Sequence, residues 1–225
     1  MAQLLAMIFL FYTILSIILA VYLFIFFLHW FYHHEFMNYL KKNSTQEVKR
    51  ILTHALSLNE KNIFGITPLM GIVQNASTPD LIDFVYEMMD DCESPDVNGF
   101  TLLMRAARFN KNPKMTEMLL KRGAQVNAQN NEKKTALTFA ADYNGNPEII
   151  SLLVHHGADI NHQDSRGKTP LMYASQYNPN PHIAEKLVRM GADKTLKSVS
   201  MKTAFDYAHE NPEVYKTAIY RELQA

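Results

Sequence analysis

The sequence predicts an all-α solenoid of stacked helix pairs preceded by one transmembrane helix. Three observations carry that expectation. Residues 1 to 34 contain no Asp, Glu, Lys or Arg. Threonine returns every 34 residues, at Thr67, Thr101, Thr135, Thr169 and Thr203. Twelve positions after the first four threonines sit Pro79, Pro113, Pro147 and Pro181. A fixed period in this size range marks an array of stacked units, each burying its neighbour's side.

The 225 residues are 48% hydrophobic, with 22 Lys+Arg against 22 Asp+Glu. That balance excludes a strongly basic nucleic-acid binder. A single cysteine, Cys92, excludes an internal disulfide framework and a Cys-rich zinc module. Cys92 lies beside Asp90, Asp91 and Glu93, acids that raise a thiol pKa and argue against a reactive thiolate.

The apolar run from Leu4 to Tyr32 exceeds the ~20 residues that a helix needs to cross a ~30 Å hydrocarbon layer. Trp30, Phe31 and Tyr32 close it, as expected of aromatics at the headgroup level. No basic leader precedes the run and no small-x-small site follows it, so a retained anchor is expected rather than a cleaved signal. Lys41, Lys42, Lys49 and Arg50 follow it, which places the C-terminal part in the cytoplasm and makes the chain single-pass. Two arrangements stay open beside this one: an array facing the periplasm or a lumen, and a small subunit held in a membrane complex by its apolar helix.

The repeat columns have physical readings. Thr-x-Leu opens a first helix. Small residues follow (Ala106-Ala107, Ala140-Ala141, Ala174) and let neighbouring helices approach closely. Asn112-Pro113, Asn146-Pro147 and Asn180-Pro181 place a capping side chain and then a proline where no N–H is needed, which starts a second helix. Gly123, Gly157 and Gly191 end it in the left-handed conformation. About ten extended residues then lead to the next threonine, with Gly65, Gly99 and Gly167 two positions before it at a tight turn.

Gly167-Lys168-Thr169-Pro170-Leu171 and His156-Gly157-Ala158-Asp159-Ile160-Asn161 carry a resemblance to the ankyrin repeat, supported by Gly123-Ala124 and Gly191-Ala192. The resemblance covers roughly residues 36 to 223. It divides the chain into an anchor and interfacial segment at 1–34, a degenerate cap at 35–62, units at 63–96, 97–130, 131–164 and 165–198, and a degenerate cap at 199–225. Two departures stand out. The family's histidine after Thr-Pro-Leu is replaced by Met70, Met104, Thr138, Met172 and Asp206, so apolar packing is expected in its place. Lys133 and Met201 stand where the other units have the turn glycine.

No nucleophile elbow, phosphate loop or zinc-protease motif occurs, so no catalytic residue, cofactor or metal ligand is assigned, and the chain is expected not to be an enzyme. His155 and His156 are adjacent and point about 100° apart on a helix, which unsuits them to share one metal. The resemblance implies a protein partner on a concave face, with no nucleic acid or small-molecule substrate. Carried over position by position, that face offers Phe100, Lys134, Arg166 and Lys168 at the turn tips and Arg108, Asp142 and Gln176 on first helices. Eight residues after their threonines come Phe109, Tyr143 and Tyr177. Aromatic and Arg side chains are enriched at interface hot spots. The same rings could equally pack the turn between helices, while the charges at the tips read as solvated faces.

Overall fold

The structure is a computed structural model that describes Lys61, residues 65–75, Asp83, Glu87 and residues 95–224. The expected anchor at 1–34, the degenerate cap at 35–62 and Cys92 lie outside or almost wholly outside the described residues. Among the described residues no helix is long and apolar enough to cross a membrane.

Five helices begin at the periodic threonines: α1 (Pro68–Asn75), α2 (Leu102–Phe109), α4 (Ala136–Tyr143), α6 (Pro170–Tyr177) and α8 (Ala204–Ala208). Each Thr Oγ1 accepts the N–H three residues on, at 3.2 to 3.4 Å. The paired second helices are α3 (Pro113–Lys121), α5 (Pro147–His155), α7 (Pro181–Arg189) and α9 (Pro212–Tyr215). Asn112, Asn146, Asn180 and Asn211 cap them by accepting the N–H two residues on, at 2.9 to 3.1 Å. Gly123, Gly157 and Gly191 follow three of these helices at φ 87°, 88° and 94°. There the N–H groups of Ala124, Ala158 and Ala192 reach back to the carbonyls of Leu119, Leu153 and Leu187 at 3.0 to 3.1 Å, closing the last turn. A final helix, α10 (Ala218–Gln224), packs on α7, α8 and α9; the repeat pattern had not foreshadowed it.

First helices pack on first helices of the neighbouring units, and second helices lie behind them. Ala106, Ala107, Ala140, Ala141 and Ala174 are fully buried at that seam, with Leu103, Leu137 and Leu171 beside them. Leu119, Leu153 and Leu187 fill the layer between first and second helices. Met70 and Met104 are buried as apolar fillers, as expected for the missing histidine, and Met172 is buried while its Sδ also accepts the Thr169 N–H at 3.4 Å. Thr138 and Asp206 depart from that expectation. Thr138 Oγ1 lies 3.2 Å from Thr135 Oγ1, and Asp206 Oδ2 accepts from the Thr203 N–H and hydroxyl at 2.7 and 2.8 Å. In these units, as in that of Met172, the side chain three residues after the threonine folds back onto the cap.

Two ladders tie the units together. In the first, buried asparagines end the first helices. Asn144 Nδ2 donates to the carbonyls of Ala107 and Asn110 at 2.8 and 2.9 Å. Asn178 does the same to Ala141 and Asn144, at 2.9 and 3.0 Å. Asn110 reaches Val73 O at 2.8 Å, and Asn211 reaches Asn178 O at 2.9 Å. In the second ladder, Oδ1 of Asp96, Asn130 and Asp164 accepts the N–H groups two and four residues on, shaping each turn tip. The tips then join through backbone bonds of Asn131 N–H to Asn98 O, Ser165 N–H to Glu132 O and Val199 N–H to Arg166 O, at 2.9 to 3.1 Å.

That joining explains one glycine. Gly99 sits at φ 79°, and a Cβ there would lie 2.9 Å from Asn130 Cα. Lys133 and Met201 take the same left-handed turn at φ 60° and 59° without being glycine, a conformation that costs an ordinary residue ~1–2 kcal/mol.

Two stability changes follow. Asn144→Ala leaves two buried carbonyls without a donor, and we expect it to cost ~2–4 kcal/mol in chemical denaturation of the full chain; a loss below ~1 kcal/mol would contradict the ladder's role. Lys133→Gly is expected to gain ~1 kcal/mol by relieving the left-handed turn, and a loss in the same measurement would refute that.

Candidate functional site

The residue before each ring and the ring itself stand at the same place in successive units. Phe109, Tyr143 and Tyr177 are 48%, 51% and 53% exposed, so half of each ring stays open to solvent. Their asparagine neighbours do the packing instead, which separates the two roles that the sequence left joined.

The ten residues singled out from the sequence divide into three groups. Lys134, Asp142, Tyr143, Arg166 and Tyr177 line one open cleft of about 450 Å³, together with Glu132, Tyr173 and Pro179. Arg108 and Phe109 lie beside that cleft, with the Arg108 guanidinium carbon 4.8 Å from the Phe109 ring centre and 3.9 Å from that of Tyr143. Phe100, Lys168 and Gln176 are engaged elsewhere. The Phe100 ring packs on Phe139 at 4.7 Å and takes Arg105 over its face. Lys168 Nζ donates to Gln176 Oε1, and Gln176 Nε2 donates in turn to Glu210.

One expectation needs correction. Lys168 belongs with the tip charges expected to be solvated, yet it is 6% exposed. Lys168 is covered because the rings of Tyr173, Tyr177 and Tyr207 surround its ammonium at 4.2 to 4.9 Å. Asp142 is also 6% exposed, at the lining of the cleft.

A family model for ankyrin repeats, in three copies, matches residues 36–130 and 103–198. The chain belongs to the ankyrin-repeat family. No curated protein matches it significantly. Ankyrin repeats are typically non-catalytic modules for protein–protein interaction.

The electrostatics of this ankyrin surface centre on Asp142. Burial pushes its pKa up to about 6, against the opposing pull of Lys134, Arg108 and Lys168 and of the Tyr143 hydroxyl. Burial likewise pulls the Lys168 ammonium below its usual range. Lys134 Nζ is paired with Glu132 at 3.0 Å and sits 4.9 Å from the Tyr173 ring. Beyond Tyr177 the groove continues as a polar chain, Lys168 to Gln176 to Glu210 to Lys202, the last contact being 2.9 Å.

Sequence reasoning missed Tyr173 as a wall of the cleft. Its hydroxyl donates to the buried Asp164 at 2.6 Å, and burial with that carboxylate raises its pKa. A signal existed: Asp96, Asn130, Asp164 and Ser198 form one 34-residue column, and Arg105, Phe139, Tyr173 and Tyr207 form another nine positions on. The pairs interact wherever both members are polar. Arg105 bonds Asp96, and Tyr207 lies 3.0 Å from Ser198 Oγ. Among the described residues no group of three His, Cys, Asp or Glu is placed to hold a metal ion. His155, His156 and His162 each meet a backbone carbonyl instead, at 2.6 to 2.9 Å.

Asp142 makes stability depend on pH in a stated direction. Its carboxyl keeps a proton in the folded chain up to about pH 6, while the ordinary value is 3.8. Between those values the folded state binds more protons than the unfolded, so stability falls as pH rises and then levels off. Asp142→Asn should therefore raise the melting temperature at pH 7.5, with the gain fading towards zero by pH 4. A gain that is constant across that range would show that the charge is not the cause.

Proposed function

We propose that the chain is a membrane-tethered adaptor or regulator that binds a protein partner on the concave face of its repeats. One observation carries this reading: three aromatic rings, one per unit and each about half exposed, stand in a row on first helices beside an open cleft. Rings held out of the core by a separate set of buried asparagines are free to be covered by something else. A rigid row of aromatics with Arg108 among them is what interface hot spots are made of, because little ordering entropy is lost when a partner docks.

The tether rests on the uncharged stretch at residues 1–34, which includes the apolar span at 4–32. With basic residues following it, the repeats at 63–225 face the cytoplasm as a single-pass protein's C-terminal domain. Anchoring adds effective concentration for a partner in or near the same membrane. Resistance to alkaline extraction of membranes tests the anchor, and release of the chain into the supernatant would end that part of the reading.

The binding face is tested by combining Phe109→Ala, Tyr143→Ala and Tyr177→Ala. The rings are half exposed, so the triple variant should melt within a few degrees of the wild type. In proximity labelling from intact membranes it should lose neighbours that the wild type captures. A variant that folds normally and keeps every neighbour refutes the concave-face reading, and one that unfolds shows that the rings serve packing.

A further inference from the structure

The gaps between successive rings are filled differently. Between Phe109 and Tyr143 lies the chain's own Arg108, with its guanidinium carbon 4.8 Å and 3.9 Å from the two ring centres. The equivalent residue of the next unit is Asp142, which is too short to reach between rings. The gap between Tyr143 and Tyr177 is accordingly open, and both rings line the cleft of about 450 Å³ with Asp142 among its lining. Past Tyr177 the equivalent residue is Gln176, tied to Lys168 and Glu210.

Asp142 is 6% exposed. Among the described residues no ion pair closes on its carboxylate, and its hydrogen-bond help comes from the Tyr143 hydroxyl rather than from a cation. The cations around it have other engagements: Lys134 with Glu132, Lys168 with Gln176, and Arg108 with its two rings. They act on Asp142 through space without capping it. A carboxylate held this far from water is costly until a partner pairs with it.

We propose that the gap between Tyr143 and Tyr177 receives an arginine side chain from a partner protein, with its guanidinium stacked between the two rings and paired with the Asp142 carboxylate. The proposal rests on the concave-face reading and names the partner chemistry for it. Arg108 is the chain's own example of the same arrangement one unit earlier. A planar guanidinium presents two faces to the rings and a fork of N–H donors to the carboxylate, which a lysine ammonium does not. The charged residues lining the cleft balance, Lys134 and Arg166 against Glu132 and Asp142, so an incoming cation meets no net repulsion. An acidic segment would instead set a second negative charge against Asp142.

The full-length chain, biotinylated in detergent micelles, is panned with a random-peptide phage library, and enriched peptides are synthesised for affinity measurement. The expected result is a shared arginine whose replacement by citrulline, similar in shape but uncharged, weakens binding roughly tenfold or more. Asp142→Asn should weaken the arginine peptide by a similar factor and leave the citrulline peptide unchanged. Additive effects of the two changes overturn the proposal. Peptides that carry no arginine but are lost on Tyr143→Ala with Tyr177→Ala also overturn it, while leaving the concave-face reading intact. Peptides indifferent to both rings, or no enrichment at all, overturn both. The citrulline comparison needs no protein variant and decides the matter even where Asp142→Asn fails to fold.

Discussion

The carbonyls at the C-terminal end of a helix have no partner within it. Here that constraint governs the whole array. Ala107 O and Asn110 O are satisfied by the side chain of Asn144, one unit away, and Ala141 O and Asn144 O by that of Asn178. A first helix is therefore complete only when its neighbour has stacked. Local helix formation and long-range stacking become the same event, and the coupling runs between adjacent units as expected of a quasi-one-dimensional fold.

The same asparagines explain why the rings stay half exposed. Each follows its ring by one residue and takes the buried position, which leaves the ring outside. Phe109, Tyr143 and Tyr177 thus occupy equivalent places without contributing much to the core, and the residues just before them vary as Arg108, Asp142 and Gln176 without disturbing the scaffold. The groove's chemistry is written in that one column. It runs from cationic at Arg108, through a buried acid, to a neutral amide already paired along Lys168 and Glu210.

Much of the scaffold was legible from spacing alone. Thr135, Asn146-Pro147 and Gly157 act where the repeat places them, because caps and left-handed turns depend on a few neighbours in sequence. The burial of Lys168 and Asp142 was not legible. For Lys168 it depends on Tyr207 of the next unit converging with Tyr173 and Tyr177 of its own, and no local pattern encodes that. Asn110, Asn144 and Asn178 recur every 34 residues in the sequence, yet that spacing does not declare a ladder, since the partners of Asn144 lie 34 and 37 residues away. The ring column was legible in position, and its exposure was not, because a ring and an asparagine side by side do not declare which of them turns inward. The anchor at residues 1–34 rests on composition alone.

The left-handed turns at Lys133 and Met201 have a further meaning. At Gly99 the next tip presses so close that no side-chain carbon fits, so that joint is locked by shape. Lys133 occupies the corresponding turn with a full side chain, and its tip still meets the following one through the Ser165 N–H to Glu132 O bond. The seam beside the open cleft thus carries a strained residue and is held by that bond, where the neighbouring seam adds close crowding at Gly99. That strain sits in the unit that also carries Tyr143, one wall of the open cleft.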